Sequence, residues 1–124
     1  MEFYLVWVKR VDRMQKTVSL TENRQFKRIY DKGNSYANNL LVVYFLPNSS
    51  SEIRLGITVN KKLGKAVVRN RVKRLIKESY RLKEMYIKEG YDIVFVARVR
   101  AKEATYHEIS GAMHNLLKRA GLLK

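Results

Sequence analysis

The chain predicts an α/β (α+β) two-layer sandwich, a small sheet packed with helices in the order α-β-β-α-β-α. Three observations carry this. Two short apolar runs, residues 40–46 (LLVVYFL) and 53–59 (IRLGITV), flank the only proline and an Asn/Ser turn, as neighbouring strands would. Residues 66–83 repeat their apolar positions with the 3.6-residue period of a helix. Near the C-terminus, Thr105 and Glu108 stand at the S/T-x-x-E spacing of a capping box. Helical segments after and between strands are laid on a sheet to bury both apolar surfaces.

Residues 1–13 are apolar and then charged, with no helix cap. Met14 opens MQKTVSLTENRQF, a natural-looking start for a cytosolic protein. The first 13 residues are therefore read as an accessory extension or a start-codon artefact, with an added edge strand as the structural alternative. Residues 14–124 then make a single domain, as the length prior suggests. A helix is expected from Thr21, which can cap it; Phe26, Ile29 and Tyr30 form an i, i+3, i+4 stripe, and Gly33 suits the C′ position. A short extra strand is possible at 35–39. Segment 40–46 is apolar on both faces, so both need cover. In 53–59, Ile53, Leu55, Ile57 and Val59 alternate with Arg54, Gly56 and Thr58. Gly90 closes the region after the long helix, and 91–99 (YDIVFVARV) is a buried strand by its β-branched content. The last helix shows the stripe Ile109, Ala112, Met113, Leu116, Leu117 and Ala120, and ends at Gly121.

The charge is concentrated. Net charge is +15, and nine of the 26 basic side chains fall in residues 61–81, where Glu78 is the only acid. Asn70, Lys73, Arg74, Lys77 and Arg81 recur at i, i+3, i+4, i+7 and i+11, within roughly 100° of helical arc. Arg69 and Arg71 flank that arc, opposite the apolar stripe Val68, Val72, Leu75 and Ile76. A solvated lysine-rich face is the plain alternative. With so few acidic i,i+4 partners, however, like charges repel along the face with little relief, which suits a helix that meets a polyanion. Nucleic acid is the expected partner, ahead of an anionic membrane. The apolar run 3–8 is far below the roughly 20 residues of a membrane span. No helix-turn-helix or dimer seam is evident, so DNA is not expected. Cysteine is absent, which excludes disulfides and fits a cytoplasmic protein.

Nothing in the chain resembles a protein-only catalyst. A metal-dependent nuclease needs clustered carboxylates, and Asp12, Asp31 and Asp92 are widely separated. His107 and His114 stand seven residues apart on one helix, about 10 Å along the axis and too far for one zinc. No glycine-rich phosphate loop precedes a helix. Phe26, Tyr30 and Tyr44 lie on the first helix and first strand. They are either ordinary core or a stacking platform for single-stranded RNA. The second apolar face of that strand, Val42, Tyr44 and Leu46, leaves room for a groove.

Residues 59–81, VNKKLGKAVVRNRVKRLIKESYR, resemble the signature of the bacterial ribonuclease P protein subunit: a lysine pair, a glycine, an alanine-valine step, an Arg-Asn-Arg core and a Lys-Arg pair. The matching positions are Lys61, Lys62, Gly64, Ala66, Val67, Arg69, Asn70, Arg71, Lys73 and Arg74. The likeness extends to ENRQFKRIYDKGNSYAN, RLGITVNKK and YDIVFVAR, covering about 17–117. It implies a ribosomal-protein-like sandwich with a left-handed βαβ crossover, against the usual hand. It also implies a small partner for a catalytic RNA that removes the 5′ leader of precursor tRNA, with magnesium held mainly by the RNA and none bound tightly by the protein. The resemblance assigns contact with the catalytic RNA to Lys61, Lys62, Lys65, Arg69, Asn70, Arg71, Lys73, Arg74 and Lys77. It assigns a leader cleft to Phe26, Tyr30, Val42 and Tyr44. A ribosomal or structural RNA-binding protein is the alternative; it explains the charge but not the Arg-Asn-Arg core.

Overall fold

The structure, a computed structural model, describes residues 17–124. The expectations for residues 1–13 lie outside them. The elements run β1 (Thr17–Ser19), α1 (Asn23–Lys32), β2 (Asn34–Ala37), β3 (Leu41–Pro47), β4 (Ile53–Thr58), α2 (Ala66–Lys83), β5 (Tyr91–Ala97) and α3 (Tyr106–Arg119). Short 3₁₀ turns at Lys61–Leu63, Glu84–Tyr86 and Val99–Glu103 lead into or out of the longer elements.

The five strands form one sheet in the order β1-β4-β5-β3-β2. β1, β4 and β5 are mutually parallel, and β3 runs antiparallel to both β5 and β2. α2 links the adjacent parallel strands β4 and β5, the βαβ unit of the fold. β5 is central, and Ile93, Val94 and Phe95 are completely buried, which accounts for its unbroken apolar run.

Strand alternation sends side chains into two cores. Leu41, Val43, Phe45, Ile53, Leu55, Ile93 and Phe95 meet Val72, Ile76 and Tyr80 of α2 and Ile109, Met113, Leu116 and Leu117 of α3. The opposite face is smaller. There Leu20, Ile29 and Val94 are buried, with Phe26, Tyr44 and Val96 packed against them. The ten-residue α1 covers only part of this face.

Several expectations change in detail. α1 is capped at Glu22 and not Thr21, because the Gln25 side chain reaches back to accept from both the Glu22 and Thr21 amides, at 3.0 and 3.2 Å. Gly33 is extended (φ −79°) and not left-handed. A glycine is needed there for clearance, since a Cβ would stand 2.6 Å from the Ile29 carbonyl oxygen and 2.8 Å from that of Phe45. The last strand stops at Ala97, and residues 98–99 lead into a 3₁₀ turn instead of continuing the ladder. β1 was not anticipated. Its three residues have no readable period, and its pairing with β4 is reinforced from outside the sheet by a 2.7 Å hydrogen bond between Thr17 Oγ1 and the Tyr80 hydroxyl. α2 and the Thr105–Glu108 capping box of α3 are as expected.

Candidate nucleic-acid interface

The basic surface begins before α2. Asn60 Oδ1 accepts from the Lys62 amide at 3.0 Å and starts the Lys61–Leu63 turn, which buried Leu63 pins to the main core. Gly64 then takes φ +135°, a conformation that strongly favours glycine, and α2 follows. This turn sets Lys61, Lys62 and Lys65 at the exposed entry to the helix. Along α2, Asn70, Lys73, Arg74 and Lys77 are exposed, while Val72, Ile76, Ser79 and Tyr80 are buried. Glu78, the sole acid of this stretch, is ion-paired with Arg81.

The flanking arginines are not loose. Arg69 is half-buried, and its Nε donates to the Gly64 carbonyl at 3.1 Å. Arg71 donates to the carbonyls of Lys102 (3.3 Å) and Ala104 (2.9 Å), bracing the connection into α3. Both therefore help to shape the surface they belong to. Sequence reasoning missed a further group. The Val99–Glu103 turn packs beside Lys61–Leu63 and brings exposed Arg98, Arg100 and Lys102 to the same end of the molecule. The only signal for it was the basic spacing of RVRAK, residues 98–102, which the strand assignment obscured.

The four aromatic and aliphatic cleft candidates come together on the small-core face. Phe26 and Tyr30 project from α1 with ring centroids 6.4 Å apart, and Tyr30 meets Tyr44 of β3 edge-on at 4.8 Å. The Tyr30 hydroxyl lies 2.8 Å from Thr58 Oγ1 on β4, so this side chain spans the face above β5. Phe26 lies over Gly56, where a Cβ would come within 2.4 Å of its ring. Val42 lies one cross-strand row further on, in register with Val96, which is in turn opposite Thr58. Tyr44 and Val42 are half-buried and Tyr30 is 36% exposed. The group thus serves as both packing and surface: Phe26 and Tyr44 pack against the small core, and Tyr30 is partly exposed above it.

Among the described residues no three His, Cys, Asp or Glu side chains are grouped as a metal site, so the donors present do not make a magnesium cage. His107 and His114 are both exposed on α3. What the arrangement offers is positive charge, guanidinium forks and aromatic faces, the chemistry that grips phosphates and bases.

Comparisons with known proteins identify the family. A sequence model of the Ribonuclease P family matches residues 14–121. The ribonuclease P protein component of Clostridium novyi is 54% identical over 111 residues, covering 88% of this chain and 98% of the relative. That of Clostridioides difficile is 50% identical over 108 residues, covering 86% and 95%. Among solved structures, the Staphylococcus aureus RNase P protein superposes with a TM-score of 0.79 at 40% identity, covering 86% of this chain and 97% of that one. The Thermotoga maritima RNase P protein gives 0.75 at 35% identity, with 82% and 96% covered. The chain belongs to the ribonuclease P protein family, the protein subunit of an RNA-based endoribonuclease.

Proposed function

We propose that residues 14–124 form one RNA-binding domain that docks on the catalytic RNA of ribonuclease P and holds the 5′ leader of precursor tRNA. Lys61, Lys62, Lys65, Asn70, Lys73, Arg74 and Lys77 face the catalytic RNA, with Arg69 and Arg71 shaping that surface as well as touching it. Phe26, Tyr30, Val42 and Tyr44 form the leader cleft. The complex removes the leader by magnesium-dependent hydrolysis to leave the mature tRNA 5′ end. The metal supplies Lewis-acid chemistry from sites made mainly by the RNA, while this chain neutralises phosphates and keeps the leader in register. The cytoplasm is the compartment this role requires.

The observation that carries the reading is the Tyr30–Tyr44 pair, partly exposed on a sheet face that α1 leaves half open. A ring pair serving the core alone would be covered. Stacking on one base is worth about 1–3 kcal/mol. In the assembled enzyme, Tyr44→Ala should therefore weaken precursor tRNA by roughly tenfold or more and leave mature tRNA nearly unchanged. The measurement is the pair of dissociation constants for a variant shown by circular dichroism to be folded. Equal weakening of both substrates would leave Tyr44 a packing residue and sink the cleft assignment.

A further inference from the structure

The basic character of α2 stops at Lys77. Residues 61–77 carry eight basic side chains and no acid, whereas residues 78–89 carry three of each sign. Over this second stretch the surface turns apolar: Leu82, Met85 and Tyr86 are each more than half exposed. Their spacing of i, i+3 and i+4 sets them on one side of a helical path that runs from α2 into the Glu84–Tyr86 turn. The patch is fixed from behind. The Lys124 amide donates to the Tyr86 carbonyl at 2.8 Å, the Lys88 amide donates to the Leu122 carbonyl at 2.7 Å, and Ile87 is completely buried. An apolar patch with no excess of positive charge around it suits an apolar polypeptide better than a polyanion.

The same end of α2 receives the start of the described chain. Thr17 Oγ1 donates to the Glu84 carboxylate and accepts from the Tyr80 hydroxyl at 2.7 Å. Met85 and Tyr86 follow Glu84 directly. Six residues from Tyr80 to Tyr86 rise only about 9 Å along a helix axis, so the chain before Thr17 joins the fold close to the patch.

Residues 1–16 lie outside the described ones, but their sequence has two distinct parts. Residues 3–8 (FYLVWV) are wholly apolar, with three aromatic rings. Residues 9–16 (KRVDRMQK) carry four basic side chains and one acid. Eight residues span up to about 27 Å, ample for the distance involved. The basic tether also matches its surroundings, because Glu78, Glu84 and Glu89, three of the chain's 11 acids, fall at this end of α2 and just beyond it. The family model matches only from residue 14, after the apolar run.

We infer that residues 3–8 dock on the Leu82, Met85 and Tyr86 patch of their own chain, with residues 9–16 as a basic tether passing Glu84. Two apolar surfaces are thereby removed from water together. The RNA-facing part of α2 stays clear, because the patch begins beyond Lys77.

Trp7 is the only tryptophan, so the full chain reports on this contact without a label. Its emission should be blue-shifted, and its quenching by acrylamide severalfold weaker than that of free N-acetyltryptophanamide. Neither value should change when the protein is diluted. The double variant Leu82→Gln, Met85→Gln removes apolar surface at exposed positions and keeps good helix formers. It should restore solvent-like emission and quenching, and Met85→Gln alone should give part of that change. Val99→Gln, at a comparably exposed valine outside the patch, should leave Trp7 protected. Circular dichroism establishes that each variant is folded. Solvent-like Trp7 in the wild type, or protection that survives the double variant, would overturn the assignment. Protection lost on dilution would give residues 3–8 to a second copy of the chain. Protection seen only after the catalytic RNA is added would give them to the RNA. Either outcome rejects docking within one chain.

Discussion

The Tyr30 hydroxyl meets the Thr58 hydroxyl at 2.8 Å across strand β5, so one helical side chain bridges β3, through its contact with Tyr44, and β4. This bridge ties the Tyr30 ring to the sheet and separates two contributions of Tyr30. Tyr30→Phe removes the hydrogen bond and keeps the ring. Stability should fall by only about 0.5 kcal/mol, since the pair is exposed, and precursor tRNA binding should stay near wild type. Tyr30→Ala should lose precursor binding selectively. Urea titration and paired dissociation constants check both. A phenylalanine variant as weak as the alanine one would show that the hydroxyl itself contacts RNA.

Gly56 allows the Phe26 ring to lie directly on the sheet. A Cβ there would stand 2.4 and 2.7 Å from two ring carbons and 3.2 Å from a Leu20 methyl. Gly56→Ala should therefore push the ring away, destabilise the protein by about 1–3 kcal/mol, and disturb the cleft more than the basic helix. Chemical denaturation gives the first number. Retained affinity for the catalytic RNA with reduced discrimination between precursor and mature tRNA gives the second.

Arg71 and Arg74 should behave differently although both lie on α2. Arg74→Ala removes charge from an exposed face, and should change the log–log salt slope for catalytic RNA by about 1 with little effect on stability. Arg71→Ala also frees the Lys102 and Ala104 carbonyls, and should cost about 1 kcal/mol of stability in addition. Salt-dependent binding combined with thermal unfolding distinguishes them. Identical stability in the two variants would mean that the carbonyl contacts contribute nothing.

A net charge of +15 on 124 residues makes the free protein self-repelling at low ionic strength. Sulfate or phosphate should raise the melting temperature by several degrees, more than chloride at equal ionic strength, because anions bind the folded basic face preferentially. Circular dichroism melts in matched salts test this. Equal melting in the two salts would reduce the effect to general screening.

Tyr80 makes the fold sensitive to alkali. It is completely buried, and its pKa is raised above 10.0 chiefly by burial; the Thr17 hydrogen bond acts in the opposite direction and the Glu84 charge adds to the rise. The fold thus keeps the phenol neutral. The unfolded side chain ionises near pH 10, so the stabilisation is complete below about pH 10 and is lost as pH rises beyond it. Lys83, whose pKa burial lowers, acts with the opposite sign in the same window. Comparison with Tyr80→Phe isolates the tyrosine. The variant should be about 1 kcal/mol less stable at neutral pH yet decline less steeply above pH 10. Parallel decline of the two proteins would mean that another group governs alkaline unfolding.

Local chemistry made much of this protein readable from its residues. The 3.6-residue period of α2, the Thr105–Glu108 box and the alternation of β4 are near-neighbour effects, expressed within one or two turns or a few strand residues. They match the observed elements to within a residue or two. The density of charge in residues 61–81 and its Arg-Asn-Arg core likewise need no tertiary information.

Tertiary structure decided the rest, wherever the partner is distant in sequence. β1 exists because β4 and Tyr80, 63 residues away from Thr17, supply what three residues cannot. Gly33 is required by the approach of Phe45, and Arg71 is committed to carbonyls more than 30 residues away. Whether Tyr44 is core or surface could not be read from its spacing, because that depends on how far a ten-residue helix extends over a sheet face. Among the described residues, the ten-residue α1 leaves Tyr44 half-buried and Tyr30 partly exposed.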